Sequence, residues 1–422
     1  MTLAAVEGIA GSGKTFRLMQ LLADRLVAAP VLDGQRVLAL TYMHGSRRRL
    51  VERLAGVGGL NGRVECTTID GYAWRLVRRW RGLVAALGFP ELLEDQFDAV
   101  CDLAGALLEQ PEVRAWVAQS FPIVVVDEGQ DLHPQRLRML VALSSAAHVL
   151  VAADEFQCLA EELRPNPLVA WVHTQVAPEV LVQPRRTTLA GLLDAAAAIR
   201  DGAAPADAGQ VFRMMPGASV ALTATIAANA IGWHPGTSSV AIITPSRAGG
   251  FAQQVVERIS VTATNQGNGP YPVLWEGTDQ DETDALVAHL QLDDQASGAT
   301  ALAALHHLPR FGPVRQAIAW VRRQIYAAGR TDFTRAEIVA VVGRFVTLRR
   351  QHGRAGAHRY TAMTVHQAKN REFDGVVVIW PYAVVGGADQ RRRLLYNAVT
   401  RAKRWCIVIV QGPHIPNAAP FA

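Results

Sequence analysis

The run GIAGSGKT, from Gly8 to Thr15, limits the folds open to this chain more than any other stretch. A turn of the pattern G-x-x-x-x-G-K-[ST] works only between a strand and a helix, where its backbone N–H groups and the positive helix end converge on a phosphate chain. Both flanks are present: LAAVEG precedes the turn, and FRLMQLLADRL follows it with helical spacing. A parallel α/β domain with a nucleotide at its strand ends is therefore expected. Gly8, Gly11, Ser12 and Gly13 would form the cradle, Lys14 would reach the β- and γ-phosphates, and Thr15 would ligate Mg²⁺. ATP or GTP is the ligand class.

The second half of such a site is FPIVVVDEGQD, residues 121–131. An apolar strand ends at Asp127, placed for the Mg²⁺ shell. Glu128 follows, where a carboxylate can deprotonate an attacking water. Taken alone, the same acids could simply be the first turn of a helix.

Around these motifs the chain alternates β-rich runs with helical patterns, the signature of parallel sheets covered by helices. LAAVEG, RVLALT, RVECTT, PIVVVD and HVLVAA form one set; EVLVQP, SVAIITP, DGVVVIW and RWCIVIV form a second. The expected fold class is α/β, with two RecA-like parallel-sheet domains, residues 1–178 and 179–422. Between Asp281 and Arg350 helical periodicity dominates, as in VRQAIAWVRRQIYAAG, which predicts a helical insertion at about 270–355 of the second domain. The loop-like run from Asn265 to Pro272 introduces it.

The 422 residues, half of them hydrophobic, suit two or three domains with sizeable cores. The net charge of +5 fits a polyanionic partner. No apolar run is long enough for a membrane span, and MTLAAVEGIA lacks the basic start of a secretory signal, so a cytoplasmic protein is expected. Cys66, Cys101, Cys158 and Cys406 are scattered without a C-x-x-C pair and read as reduced, ordinary residues. Of 42 basic residues only Lys14, Lys369 and Lys403 are lysine. Such retention marks places where a compact ammonium is needed.

All three lysines fall inside a series of blocks that resembles the UvrD/Rep/PcrA-type superfamily 1 DNA helicases. GSGKT and DEGQD resemble motifs I and II, LALTYMHGSRRRLVERL motif Ia, and TTIDGYAWRL the motif that follows it. VLVAADEFQ resembles motif III, LVQPRRTT motif IV, TAMTVHQAKNREFDGVVVIWP motif V and RRLLYNAVTRAKRWCIVIV motif VI. The resemblance implies an ATP hydrolase moving 3′ to 5′ on single-stranded nucleic acid, with DNA the expected strand and RNA left open. It implies Gln157 as γ-phosphate sensor, Arg186 and Arg401 as arginine fingers, and Glu372 as ribose contact. Thr41, Tyr42, Thr68, Thr364 and His366 would face the strand.

The chain also departs from that pattern. No adenine-reading glutamine precedes the phosphate loop, so weak base selectivity is expected. Cys158, Leu159 and Ala160 stand where motif III usually carries stacking aromatics. Asn370 replaces a glycine of motif V, and Asp70 replaces a histidine, where an acid would repel a phosphate. Both accessory regions are short. Two readings follow: a translocating motor, or a DNA-stimulated ATPase subunit that senses DNA for a partner nuclease, in recombination or anti-phage defence, with little unwinding of its own. A third, an unrelated small-molecule kinase, fails on motifs IV to VI.

Overall fold

Buried, largely apolar strands form the middle of the first sheet. In the computed structural model, which describes residues 3–42, 44–60, 62–89, 96–277, 279–352 and 358–422, its strands are β1 (Leu3–Gly8), β2 (Val37–Thr41), β3 (Val64–Thr68), β4 (Ile123–Asp127), β5 (His148–Ala153) and β6 (Glu179–Leu181). They run parallel in the order β3-β2-β4-β5-β1-β6. Alternate residues serve opposite layers. Leu38, Leu40, Val124 and Val126 pack into one core, and Val37, Ala39, Ile123 and Val125 into the other, so both faces are covered by helices. Met43, within the motif Ia block, lies outside the described residues, as do Thr278 and residues 353–357 of the expected insertion.

One strand differs from expectation. Glu179–Leu181, grouped by sequence with the second sheet, pairs with β1 at the edge of the first. A three-residue, largely exposed strand carries too little pattern to reveal its partner.

The second sheet begins with β7 (Phe212–Gly217) and β8 (Val240–Thr244) and has a two-residue edge strand, β9 (Leu274–Trp275). After the short strands β10 (Gln295–Ser297) and β11 (Asp332–Thr334) it resumes with β12 (Tyr360–Thr364), β13 (Phe373–Trp380) and β14 (Ala402–Gln411). The order is β7-β14-β13-β8-β12-β9, and the five longer strands pair in parallel. Val376, Val378, Val408 and Val410 feed a core completed by Leu394, Leu395 and Tyr396 of the helix Ala388–Val399.

Residues Trp275–His358 form a compact unit of their own. Four helices (Asp279–Val287, Gly298–His307, Gly312–Ala328 and Arg335–His352) pack around Ala301, Leu305, Val314, Val321, Ile338 and Val342. The helix predicted from VRQAIAWVRRQIYAAG is present and ends at Gly329 with φ 67°, a left-handed cap suited to glycine. The antiparallel pair β10–β11 is an addition that helical periodicity could not reveal.

Candidate active site

β1 delivers the chain into the phosphate loop at its carboxyl end. Gly11 and Gly13 have φ of 77° and 88°, left-handed values that side chains tolerate poorly. Gly13 is the N-cap of the helix Lys14–Ala28, which Leu18, Leu22 and Leu26 anchor in the core. No acidic residue occupies that helix's first turn to compete with an anion. A Cβ on Gly8 would meet Leu181 O at 2.6 Å, so the loop rests directly on β6. Lys14 Nζ donates to Gly8 O at 2.9 Å and Ile9 O at 3.1 Å, and lies 3.4 Å from Asp154 Oδ2.

β4 ends at Asp127, whose Oδ2 accepts from Thr15 Oγ1 at 3.0 Å. Burial pushes the Asp127 pKa up to about 6; neighbouring Glu128 adds to the shift and Thr15 opposes it. A buried carboxylate beside a hydroxyl and a lysine fits Mg²⁺, which takes few protein oxygens and completes its shell with water and phosphate. Glu128 has φ 58°, a strained conformation for a non-glycine residue. Its Oε2 accepts from Gln130 Nε2 at 2.7 Å. Gln130 is fully buried and is itself held from both ends: Asp154 N donates to its Oε1 at 3.1 Å, and Asn166 Nδ2 to its carbonyl at 2.8 Å.

Asp154, directly after β5, is the hub that sequence reasoning misses. Its carboxylate accepts from Gln157 Nε2 at 2.8 Å and from Arg200 Nη1 at 3.3 Å, besides approaching Lys14. It stands in the motif III block without an assigned role, because its partners at 14 and 200 are remote in sequence.

The second domain contributes the arginines. Arg186 Nε donates to Glu372 Oε1 at 2.9 Å, and its Nη1 to Thr400 O. Lys403 Nζ lies 3.2 Å from Glu372 Oε2. Burial alone would raise the Glu372 pKa, but Arg186 and Lys403 outweigh it and hold the carboxyl below its ordinary value. Arg401 is 1% exposed and donates to two neutral acceptors, Asn397 O at 2.9 Å and Thr400 Oγ1 at 3.2 Å. Its pKa is lowered, first by burial and then by Arg186. Among the described residues no carboxylate lies in ion-pair range of it; such a buried cation is expensive, and an anionic ligand would relieve it.

Lys14, Thr15, Asp127, Glu128, Gln157, Arg186, Glu372 and Arg401 line a single cavity of about 920 Å³ with Gly11 and Gly13. Gly8 and Ser12 do not face it. Phe16, Arg49, Arg53, Arg185 and Lys403, which carry no sequence assignment, do.

The expected strand-facing residues diverge. Thr41 and Thr68 are 1% and 3% exposed, so their hydroxyls are not presented to a strand. Thr68 caps the helix Ile69–Arg79 through Gly71 N, and Thr364 caps Val365–Ala368 in a capping box with Gln367. His366 is exposed, while Tyr42 is half-buried and stacked 6.2 Å from His133. Asp70 needs a correction. Instead of standing bare against a phosphate, it accepts from Arg136 Nε at 2.8 Å and from Cys101 Sγ at 3.2 Å.

The motif III segment turns inward as well. Cys158 is buried, and Leu159 packs into the second domain's core. Gln390 Nε2 donates to Leu159 O at 2.9 Å, Arg393 Nη1 to Glu155 O, and Phe156 meets Tyr396 edge-on at 5.0 Å.

Residues 360–409 match the model of the UvrD-like helicase C-terminal domain. No curated protein matches the chain. Among solved structures it is similar to arterivirus nonstructural protein 10 (helicase), at 12% identity over 98% of this chain and 60% of that one, with a TM-score of 0.41. A complex of that protein with DNA gives 14% identity over 98% and 61%, with a TM-score of 0.37. The chain thus spans about 60% of the length of the structures it matches. The matched segment runs from β12 through Glu372 and Arg401 into β14. The two parallel-sheet domains, the ordered motif blocks and this UvrD-like C-terminal segment together support a superfamily 1 helicase-type protein.

Proposed function

We propose that this chain is an ATP-driven motor that acts on single-stranded nucleic acid, DNA in particular, stepping 3′ to 5′ as ATP is hydrolysed between its two parallel-sheet domains. One observation carries the reading. Lys14, Thr15, Asp127, Glu128 and Gln157 from the first domain share a cavity with Arg186, Glu372 and Arg401 from the second. A hydrolysis site split between two domains makes their relative position depend on the nucleotide, which a stepping motor requires.

In this reading the P-loop N–H groups and Lys14 hold the phosphates, and Glu372 meets the ribose. Thr15 and Asp127 would hold Mg²⁺, which neutralises phosphate charge when bound. Glu128, oriented by Gln130, takes a proton from water as the water oxygen attacks the γ-phosphorus. The bond from that phosphorus to the bridging oxygen breaks, and ADP leaves with the electron pair. Gln157 reports the terminal phosphate, while Arg186 and Arg401 neutralise its developing charge. Tyr42 and His366 remain as the side chains available to a strand.

The second reading, a DNA-stimulated ATPase that serves a partner such as a nuclease, is favoured by the inward-facing motif III segment, which leaves Cys158 and Leu159 no part in gripping bases. ATPase rate with and without single-stranded DNA and RNA, at several salt concentrations, tests the shared core of both readings. An unstimulated enzyme, or none, would overturn it.

A further inference from the structure

The helix His44–Leu54 of the first domain carries Arg49, which lines the nucleotide cavity. It shares that cavity with six other cations (Lys14, Arg53, Arg185, Arg186, Arg401 and Lys403) against three carboxylates, Asp127, Glu128 and Glu372. Those carboxylates are largely engaged. Asp127 accepts from Thr15, Glu128 from Gln130, and Glu372 from Arg186 and Lys403. Arg49 is half-buried and, among the described residues, makes no hydrogen bond or ion pair. Its electrostatic surroundings are attraction from Glu372 and repulsion from Arg186, Arg53 and Arg371.

A partly desolvated guanidinium crowded by like charge is unfavourable on its own. Surface arginines avoid this by turning into water or pairing with an acid. Arg49 instead stands in the cleft on the side where Arg186 and Glu372 meet. What balances seven cations and three carboxylates is a ligand with several negative charges, and the excess lies toward the second-domain arginines. We propose that Arg49 is a third arginine of the nucleotide site, one that binds the terminal phosphate of a nucleoside triphosphate from the first domain while Arg186 and Arg401 approach from the second. Contact from both sides would make the cleft respond to a triphosphate and not to a diphosphate. The assignment rests on the hydrolytic reading above.

The test compares Arg49→Ala and Arg49→Lys with the unaltered chain and with Lys14→Ala. It measures steady-state ATPase together with equilibrium binding of ADP and of a non-hydrolysable ATP analogue. Arg49→Ala is expected to lower kcat/KM at least tenfold and to weaken the analogue by a similar factor, leaving ADP affinity within about twofold. Arg49→Lys, which keeps the charge, should recover part of the loss. Equal weakening of ADP and analogue, or no loss of either, would overturn the assignment and leave hydrolysis at this site standing. A chain that hydrolyses no ATP, or whose ATPase survives Lys14→Ala, would overturn the hydrolytic reading and the assignment with it.

Discussion

Lys369 Nζ lies 2.6 Å from both carboxylate oxygens of Asp131, joining the segment after β12 to the turn after β4 across 238 residues. The side chains are 6% and 9% exposed. Burial raises the Asp131 pKa, and Lys369 is what opposes that rise. Removing one member of such a pair strands the other in a poorly solvated place. Lys369→Met should therefore cost about 3–5 kcal/mol, whereas Lys369→Met with Asp131→Leu should cost clearly less. Urea unfolding of both variants checks this, and equal losses would count against the pair.

Gln130 offers a kinetic prediction. It hydrogen-bonds Glu128 but does not itself line the cavity, so in the proposed mechanism it acts by positioning Glu128. Gln130→Ala should lower kcat at least tenfold and leave KM and analogue binding nearly unchanged. A proportional rise in KM would instead point to damage in the phosphate loop.

Legibility in the sequence follows the range over which each constraint acts. The phosphate loop is readable because Gly11, Gly13, Lys14 and Thr15 are each demanded locally, by φ or by one phosphate. β4 is readable because a central strand buried on both faces must be apolar throughout. Asp154, Gln130 and Arg49 are not readable, since what gives each its place is remote in sequence: Lys14 and Arg200 for Asp154, Asp154 and Asn166 for Gln130, and a cavity built by other segments for Arg49. Asp70 misleads for the same reason, its partner Arg136 being 66 positions away. β6 fails differently, because a short edge strand has no buried face to imprint a pattern.

Arg401 should be the costlier of the two second-domain arginines to lose. It is fully enclosed and, among the described residues, forms no ion pair with a carboxylate, while Arg186 is already bound to Glu372. Arg401→Ala should slow ATP turnover on the order of 10³-fold if it serves as an arginine finger. A loss under tenfold in single-turnover hydrolysis would remove it from the site.

Glu372 predicts a pH dependence. Its folded pKa lies below the unfolded value because Arg186 and Lys403 outweigh its burial. For an acid shifted down, the stabilisation is complete above the unfolded pKa, about 4.3, and is lost as pH falls through the folded one. Glu372→Gln should start less stable at neutral pH and lose less stability than the unaltered chain below about pH 4.3. Parallel stability curves across that range would mean that the two cations do not hold this carboxylate.

Strand separation is the severest test of the motor reading. It needs a cleft that closes on ATP, a grip on unpaired bases and a wedge at the duplex junction. The cleft has residues from both domains. The grip is weaker: base stacking contributes roughly 1–3 kcal/mol per base, and here Phe156 packs against Tyr396 while Leu159 lies in a core. Tyr42, just after β2, stacks on His133 with Arg136 5.7 Å from its ring centre and is half-buried, and in the motor reading it is the aromatic side chain offered to a base. Binding should then rest on phosphate contacts and fall steeply with salt. ATPase should rise with single-stranded DNA while unwinding by the chain alone stays slow, and Tyr42→Ala should reduce DNA stimulation more than basal hydrolysis. Single-turnover unwinding of a tailed duplex of about 20 base pairs, short enough for weak processivity to register, decides the matter. Efficient unwinding at low salt without any partner would show that the inward-facing motif III segment opens during the cycle and would restore a self-sufficient helicase.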